Sequence, residues 1–124
     1  NIMGVTNRYG LTDNKTHLCG FSQGGMIAYS LALQYPDLFS KVACLSSYPE
    51  EKLLKNIDRN KKKYENMRFF ISHGTEDAVI PLEWGRKAAD LLYDLSAYFS
   101  FREYMSGHGV NQKNYLDLMD FFKK

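Results

Sequence analysis

The chain has 124 residues, enough for one domain with its own hydrophobic core. Its 16 Lys and Arg residues and 14 Asp and Glu residues are interspersed and leave a formal net charge of +2, which argues against a nucleic-acid partner. No apolar run approaches the roughly 20 residues that a membrane-spanning helix needs, and no segment reads as a signal peptide.

Short apolar runs alternate along the chain with longer segments of helical periodicity. The predicted strands are residues 16–21, 42–47, 67–72 and 97–104. The predicted helices are residues 24–35, 81–95 and 111–122. Pro36 ends the first helix and Pro81 begins the second, while residues 50–64 are polar and only weakly helical. This alternation predicts one α/β domain with a parallel sheet of about four strands flanked by helices.

The two cysteines of the chain lie inside predicted strands, Cys19 in the first and Cys44 in the second. Two cysteines make no disulfide framework, and thiols in apolar strands are usually buried and reduced. The cysteine usage therefore favours a cytoplasmic protein.

The segment Gly20-Phe21-Ser22-Gln23-Gly24 joins the first predicted strand to the first predicted helix. Strand, Gly-x-Ser-x-Gly and helix together form the context of a nucleophile elbow, which exposes a serine hydroxyl at the C-terminal end of a strand. In that arrangement the Gln23 N–H is an oxyanion donor at the positive end of the helix. The alternative interpretation is a glycine-rich turn with an incidental serine.

A nucleophilic serine needs a base, and that base needs an acid to hold its tautomer. Asp77 follows the third predicted strand, and His108 follows the fourth on a glycine-flanked loop. Both are expected at the same edge of the sheet as Ser22. The chain order Ser, Asp, His is the order found in α/β-hydrolases. The sequence thus predicts Ser22, Asp77 and His108 as nucleophile, acid and base.

Three other residues compete for these roles. Glu76 is the rival acid, beside Asp77. His73 follows an apolar strand directly and is interpreted as a structural residue at the strand end. His17, on the first strand, has no glycine context and is also interpreted as structural.

Several segments of the chain resemble the phospholipase/carboxylesterase family of α/β-hydrolases, which includes the acyl-protein thioesterases. They are GFSQGG, HGTEDAVIP, YMSGH, residues 9–13 (YGLTD) and residues 45–49 (LSSYP), with Ser47 where that family usually has glycine. Gln23 after the nucleophile is similar to this group as well. The resemblance covers nearly the whole chain and implies the same three catalytic residues.

Members of that family are considerably longer, and their nucleophile strand is normally the fifth. The resemblance therefore implies that residues 1–124 form a single partial domain, the C-terminal half of an α/β-hydrolase fold. It also implies that the loop with the second oxyanion donor is missing. The strand at residues 16–21 would then be an unpaired apolar edge, from which we expect self-association into a homo-oligomer.

The sequence predicts a serine hydrolase that cleaves carboxylic esters or thioesters, of small molecules or acylated proteins, through an acyl-enzyme. The alternative is a non-catalytic fragment or interaction module that lacks a complete oxyanion hole. No metal or organic cofactor is expected, because three histidines and two cysteines show no ligand spacing. The apolar residues predicted near the site are Met26, Tyr48, Leu53, Leu54 and Ile80. They suggest an acyl-chain pocket, and the alternative interpretation is that they are ordinary core residues.

Overall fold

The computed structural model of the protein describes residues 5–10 and 15–123. They form one five-stranded sheet in which the strands follow each other in chain order. The strands are β1 (Val5–Gly10), β2 (Lys15–Phe21), β3 (Phe39–Leu45), β4 (Arg68–Gly74) and β5 (Tyr98–Tyr104). Strands β2 to β5 are parallel, which confirms the four-stranded parallel sheet, whereas β1 pairs antiparallel with β2.

Three α-helices connect or follow the parallel strands, as the sequence predicts. They are α1 (Gln23–Gln34), α2 (Leu82–Asp94) and α3 (Gln112–Lys123). The weakly helical segment at residues 50–64 contains two 3₁₀ helices, Glu51–Leu53 and Lys61–Tyr64, and a third, Pro36–Leu38, follows α1. Single 3₁₀ turns fit this segment, because it is polar and has too few apolar residues at helical spacing to bury a longer helix.

The two faces of the sheet are covered unequally. Helices α1 and α2 share one face and a large core that includes Tyr29, Phe69, Ile71 and Leu92. Helix α3 covers the other face, where a smaller cluster is built from the sheet side chains Ala43, Leu45 and Phe70 and from Leu118 of the helix. Side chains alternate between the faces along each strand, so neighbouring residues of β3 belong to different clusters.

The two cysteines lie on opposite faces of the sheet. Cys44 is fully buried on the α1 and α2 face, and Cys19 is half-buried on the α3 face. Burial raises the pKa of the Cys19 thiol to about 11 and raises the pKa of Cys44 well above its ordinary value. Both cysteines are free thiols.

The expectation that β2 is an unpaired edge is wrong. Strand β1 lies alongside it, with Val5 opposite Cys19 and Thr6 opposite Leu18. Because β1 supplies the backbone partners that β2 would otherwise lack, the argument for self-association through this edge no longer holds. Strand β1 was not expected, since the sequence of residues 5–10 has few apolar residues and no clear alternation.

One family-like segment falls only partly within the described residues. Tyr9 and Gly10 end β1, whereas residues 11–13 lie outside the described part of the chain. Within residues 5–10 and 15–123, no helix combines the length and the apolar character that crossing a membrane requires.

Candidate active site

The site lies at the C-terminal edge of the parallel sheet, where the loops after β2, β4 and β5 meet. Ser22 follows β2 directly, Asp77 lies in the loop after β4, and His108 lies in the loop after β5. Parallel strands bring their carboxyl ends to one edge, so three residues far apart in sequence become neighbours.

Ser22 occupies a sharp turn between β2 and α1. Its φ of 57° and ψ of −117° lie outside the regions that ordinary residues favour. Its N–H donates to the Leu45 carbonyl of β3 at 2.8 Å, which ties the turn to the neighbouring strand. A Cβ at Gly20 would come within 2.2 Å of the Gly24 carbonyl oxygen, so the tight passage of the chain requires glycine there.

The three side chains form a continuous hydrogen-bonded chain. His108 Nε2 lies 3.0 Å from Ser22 Oγ, and His108 Nδ1 lies 2.8 Å from Asp77 Oδ2. An ionised carboxylate only accepts hydrogen bonds, so His108 Nδ1 carries the proton. The lone pair of Nε2 then faces the Ser22 hydroxyl, which is the arrangement a general base needs.

Asp77 is held on both carboxylate oxygens. Its side chain is 0% exposed, and Oδ1 accepts the N–H groups of Val79 and Ile80 at 2.8 Å each. Desolvation opposes ionisation, but the hydrogen bonds from Ile80, His108 and Val79 outweigh it and hold the pKa of Asp77 below its ordinary range. Asp77 is therefore the ionised partner of the histidine.

His108 lies on the open side of this chain. Its side chain is 19% exposed, and its ring centroid lies 5.0 Å from that of Phe21, in a tilted packing. The loop that carries His108 passes close to the end of β4, because a Cβ at Gly74 would lie 2.2 Å from the Ser106 carbonyl oxygen and 2.3 Å from that of Gly107.

The rival residues are placed differently. Glu76 is exposed, and its backbone N–H donates to the Ser106 carbonyl at 3.0 Å. His73 is fully buried, with Nε2 at 2.8 Å from the Ile80 carbonyl oxygen and 3.5 Å from Asp77 Oδ2, so it braces the loop that carries Asp77. His17 Nδ1 accepts the N–H of Lys41 at 3.2 Å, near the N-terminal end of the strands.

The residues predicted for the oxyanion hole and for substrate binding differ in exposure. Gln23 is the first residue of α1 and is exposed, and Met26 is half-buried one turn further along that helix. Tyr48 follows the end of β3 and is also half-buried. Ile80 is only 5% exposed, and what it offers the site directly is the N–H that it donates to Asp77.

The structure adds residues that the sequence did not single out for the site. The Trp84 ring packs edge-on against Tyr48 with centroids 4.9 Å apart and is 42% exposed, and Phe21 is 41% exposed beside His108. Trp84 is the only tryptophan of the chain and lies in the first turn after Pro81, which could have drawn attention to it. Phe21 lies inside the Gly-x-Ser-x-Gly segment itself.

The contacts of Ser47 could not be predicted from the sequence. Its side chain is buried, and its hydroxyl donates to the Ser22 carbonyl oxygen at 2.7 Å. A Cβ at Gly25 would lie 2.5 Å from the Ser47 Cβ, so glycine at position 25 leaves room for this serine.

The chain is similar in sequence to several esterases and thioesterases. It is 29% identical over 122 residues to acyl-protein thioesterase 1 of Emericella nidulans, covering 93% of this chain and 49% of that protein. It is 25% identical over 118 residues to carboxylesterase SOBER1 of Arabidopsis thaliana, covering 93% of this chain and 50% of that protein. The chain thus spans about half the length of the curated relatives it matches.

Solved structures show the same fold. The crystal structure of Arabidopsis thaliana SOBER1 superposes with a TM-score of 0.74 at 24% identity, over 86% of this chain and 51% of that one. The crystal structure of esterase PE8 superposes with a TM-score of 0.74 at 26% identity, over 86% of this chain and 48% of that one. Residues 1–124 match the phospholipase/carboxylesterase family throughout. The chain therefore belongs to the phospholipase/carboxylesterase family of α/β-hydrolases.

Proposed function

We propose that this chain carries the catalytic residues of a serine hydrolase that cleaves carboxylic esters or thioesters. The observation that carries the proposal is the hydrogen-bonded chain from Ser22 through His108 to Asp77, with distances of 3.0 and 2.8 Å. Ser22 lies in a strained strand-to-helix turn, as a nucleophile elbow requires. Similarity to an acyl-protein thioesterase and a carboxylesterase supports the same reaction class.

Acylation begins when Ser22 Oγ attacks the carbonyl carbon of the substrate. His108 Nε2 takes the hydroxyl proton as the Oγ–C bond forms, and Asp77 stabilises the resulting imidazolium through Nδ1–H. The negative charge that develops on the carbonyl oxygen faces the N-terminus of α1, where the Gln23 N–H is the donor. When the tetrahedral intermediate collapses, His108 returns the proton to the departing alkoxide or thiolate, which leaves as an alcohol or thiol.

Deacylation repeats these steps with water. His108 Nε2 removes a proton from water as its oxygen attacks the acyl carbon of the Ser22 ester. Collapse of the second tetrahedral intermediate releases the carboxylic acid, and the proton held by His108 returns to Ser22 Oγ. The side chains of the chain itself supply each proton transfer, so this mechanism needs no cofactor.

The surroundings of Ser22 support an apolar acyl group. Aromatic surface that is exposed or half-buried is offered by Phe21 at the end of β2, by Tyr48 after β3 and by Trp84 in the first turn of α2. Met26 and Ile80, together with Tyr48, are the residues we propose for substrate binding, with Met26 and Tyr48 offering side-chain surface. Acyl groups of small esters and of acylated proteins both fit this chemistry. A cytoplasmic location remains a prediction from the two free cysteines.

Active-site labelling tests the catalytic proposal. A fluorophosphonate probe is expected to modify Ser22 of the wild-type chain, and Ser22→Ala or His108→Ala is expected to abolish the modification. His17→Ala is the matched control, because His17 lies on β2 but away from the loops that carry Asp77 and His108. Labelling that survives both active-site substitutions would contradict the proposal. A wild-type chain that folds but resists the probe would favour a non-catalytic module.

A substrate panel tests the reaction class. Turnover of p-nitrophenyl esters with short to long acyl chains is expected to exceed that of the matching p-nitroanilides, because alcohols and thiols leave more readily than amines. Hydrolysis of an acyl-thiol ester is expected alongside it. A preference for an anilide over every ester would exclude the esterase assignment.

A further inference from the structure

The oxyanion donor and the carbonyl of the nucleophile belong to one peptide unit. The Ser22 carbonyl and the Gln23 N–H are joined in the planar Ser22–Gln23 peptide group, and in a trans peptide they point in opposite directions. Any interaction that fixes the carbonyl therefore also fixes the direction of the N–H. Gln23 is the first residue of α1, and the first N–H groups of a helix have no acceptor within that helix.

A buried hydroxyl holds the carbonyl end of this peptide. Ser47 is 1% exposed, and its Oγ lies 2.7 Å from the Ser22 carbonyl oxygen. The same oxygen accepts the backbone N–H groups of Gly25 at 3.0 Å and Met26 at 3.2 Å, which belong to the first turn of α1. The hydroxyl is the only side chain in the described part of the chain that contacts this oxygen through a hydrogen bond.

The position of Ser47 is fixed by its own surroundings. It lies two residues beyond the end of β3, the strand whose Leu45 carbonyl accepts the Ser22 N–H at 2.8 Å. An added Cβ at Gly25 would lie 2.5 Å from the Ser47 Cβ and 2.6 Å from its Oγ. The end of β3 and the residues just after it therefore hold Ser22 on both sides: the Leu45 carbonyl accepts the Ser22 N–H, and the Ser47 hydroxyl donates to the Ser22 carbonyl.

We propose that Ser47 is a positioning residue that aims the Gln23 N–H at the oxyanion. This inference rests on the proposed function, since it assigns a role in the same acyl transfer. The Ser47 hydroxyl fixes the plane of the Ser22–Gln23 peptide and polarises it, because a hydrogen bond to a carbonyl strengthens the donor at the other end of the same peptide. The hydrogen bond is present before substrate binds, so the donor needs no reorganisation as charge develops.

Kinetics of Ser47→Ala provide the first test. A donor that acts on the developing charge stabilises the transition state more than the bound substrate, so its misalignment lowers kcat and leaves KM unchanged. We expect kcat for a p-nitrophenyl ester to fall about 3- to 10-fold, the effect of losing one ordinary hydrogen bond. Ser72→Ala is the control: Ser72 is also a buried serine with one side-chain hydrogen bond, to Asn114 at 3.0 Å, and it has no bond to the Ser22–Gln23 peptide.

A spectroscopic readout separates this inference from the proposed function. The Gln23 amide proton resonance reports the polarisation of its peptide whether or not the chain turns over substrate. We expect Ser47→Ala to shift it and Ser72→Ala to leave it in place. A wild-type chain that turns over esters, with a Ser47→Ala variant of unchanged kcat or unchanged Gln23 resonance, would overturn the inference. A wild-type chain without turnover would overturn the proposed function, and the Gln23 resonance would still decide whether Ser47 orients the peptide.

A second pair of variants separates positioning from packing. Gly25→Ala is expected to lower stability and kcat together, because the new methyl group meets Ser47. Combining it with Ser47→Gly removes the atoms that the methyl group meets most closely, so stability is expected to recover toward wild type while kcat stays reduced. Recovery of kcat along with stability would show that Ser47 only fills space, and would overturn the inference.

Discussion

The loops that carry the acid and the base of the proposed site are held in different ways. In the acid loop, residues 75–81, the N–H groups of Val79 and Ile80 donate to the Asp77 carboxylate. His73 Nε2 contacts the Ile80 carbonyl oxygen of the same loop. The base loop, residues 105–111, carries His108 between two glycines with its side chain 19% exposed. In the proposed mechanism, the buried carboxylate of Asp77 therefore orients His108, whose ring stays accessible to substrate and solvent.

The glycines at the entry to the acid loop and inside the base loop differ in how much room they have. Gly74, the last residue of β4 before the acid loop, has the Ser106 and Gly107 carbonyl oxygens within 2.3 Å of where a Cβ would be. Gly109, in the base loop, has no heavy atom within 4 Å of that point. The base loop thus passes close to Gly74, whereas the space that a Cβ at Gly109 would occupy is open, and the Gly109 carbonyl oxygen accepts the Ser46 hydroxyl at 3.4 Å.

The largest expected effect comes from removing the charge of the acid. Asp77→Asn can keep an oxygen toward Val79 and Ile80 but turns an N–H₂ group toward His108 Nδ1. The histidine must then accept at Nδ1 and carry its proton on Nε2, where it no longer serves as a base. We expect kcat to fall by about 10⁴-fold, as for the corresponding change in a serine protease. Ester turnover measures it, with Glu76→Gln as the neighbouring control.

If Glu76→Gln loses ester turnover and Asp77→Asn keeps it, Glu76 and not Asp77 is the acid. That result would also remove the basis for comparing the loops, because the exposed side chain would then be the functional one.

A glycine pair tests whether the contact between the loops matters. In Gly74→Ala the new Cβ meets two backbone oxygens that cannot rotate away, so the base loop must move. A displacement on this scale is expected to lower kcat by about 10- to 100-fold. Gly109→Ala adds the same methyl group in open space and is expected to stay near wild type. Equal losses in both variants would mean that the base loop is as constrained as the acid loop.

The packing of Phe21 on the histidine predicts a smaller effect. Phe21→Ala removes the ring whose centroid lies 5.0 Å from that of His108, so the His108 side chain can move away from Ser22 more easily. We expect kcat to fall about two- to tenfold, the scale of one aromatic contact. Leu38→Ala is the control, since Leu38 is an exposed apolar residue that belongs to the 3₁₀ helix after α1. Equal activity of the two variants would show that hydrogen bonds alone hold His108.

The smallest expected effect is the pH dependence of folding. The pKa of Asp77 is lower in the folded chain than its ordinary value of 3.8, so the unfolded chain binds the proton more readily. The stabilisation by Asp77 is therefore present in full above its unfolded pKa and is lost as the pH falls through the lower folded pKa. Urea unfolding of the wild type and Asp77→Asn at neutral and acidic pH measures it. We expect the difference in unfolding free energy between the two proteins to decrease as the pH falls below about 5, and parallel curves would contradict it.

The sequence predicted the parallel part of the fold because its signals are local. Apolar runs and helical spacing lie within single segments, so β2 to β5 and α1 to α3 were placed to within a few residues. Strand β1 was not predicted, because its place depends on pairing with β2 across the sheet and not on apolar side chains of its own. The interpretation of residues 16–21 as a bare edge followed from that omission.

Chain order and the predicted strand ends were enough to predict the three proposed catalytic residues, but not the contacts around them. Ser22, Asp77 and His108 each follow a predicted strand, and that alone places them at one edge. The contacts of Ser47 and the Tyr48–Trp84 pair could not be predicted, because each joins loops distant in sequence through the exact direction of a side chain. The sequence left open whether Ile80 lines a pocket or belongs to the core, and its 5% exposure favours the core.

The burial of the two cysteines has a practical consequence for assaying the proposed hydrolysis of thioesters. A thiolate, not a thiol, attacks disulfide reagents, and the raised pKa values of Cys19 and Cys44 leave almost no thiolate at neutral pH. A colorimetric reagent that detects the thiol released from a thioester substrate will therefore report the product with little background from the folded protein. Cys44 lies at the centre of the sheet and becomes accessible only when the strands separate. The rate at which a thiol reagent modifies Cys44 consequently measures how often the sheet opens.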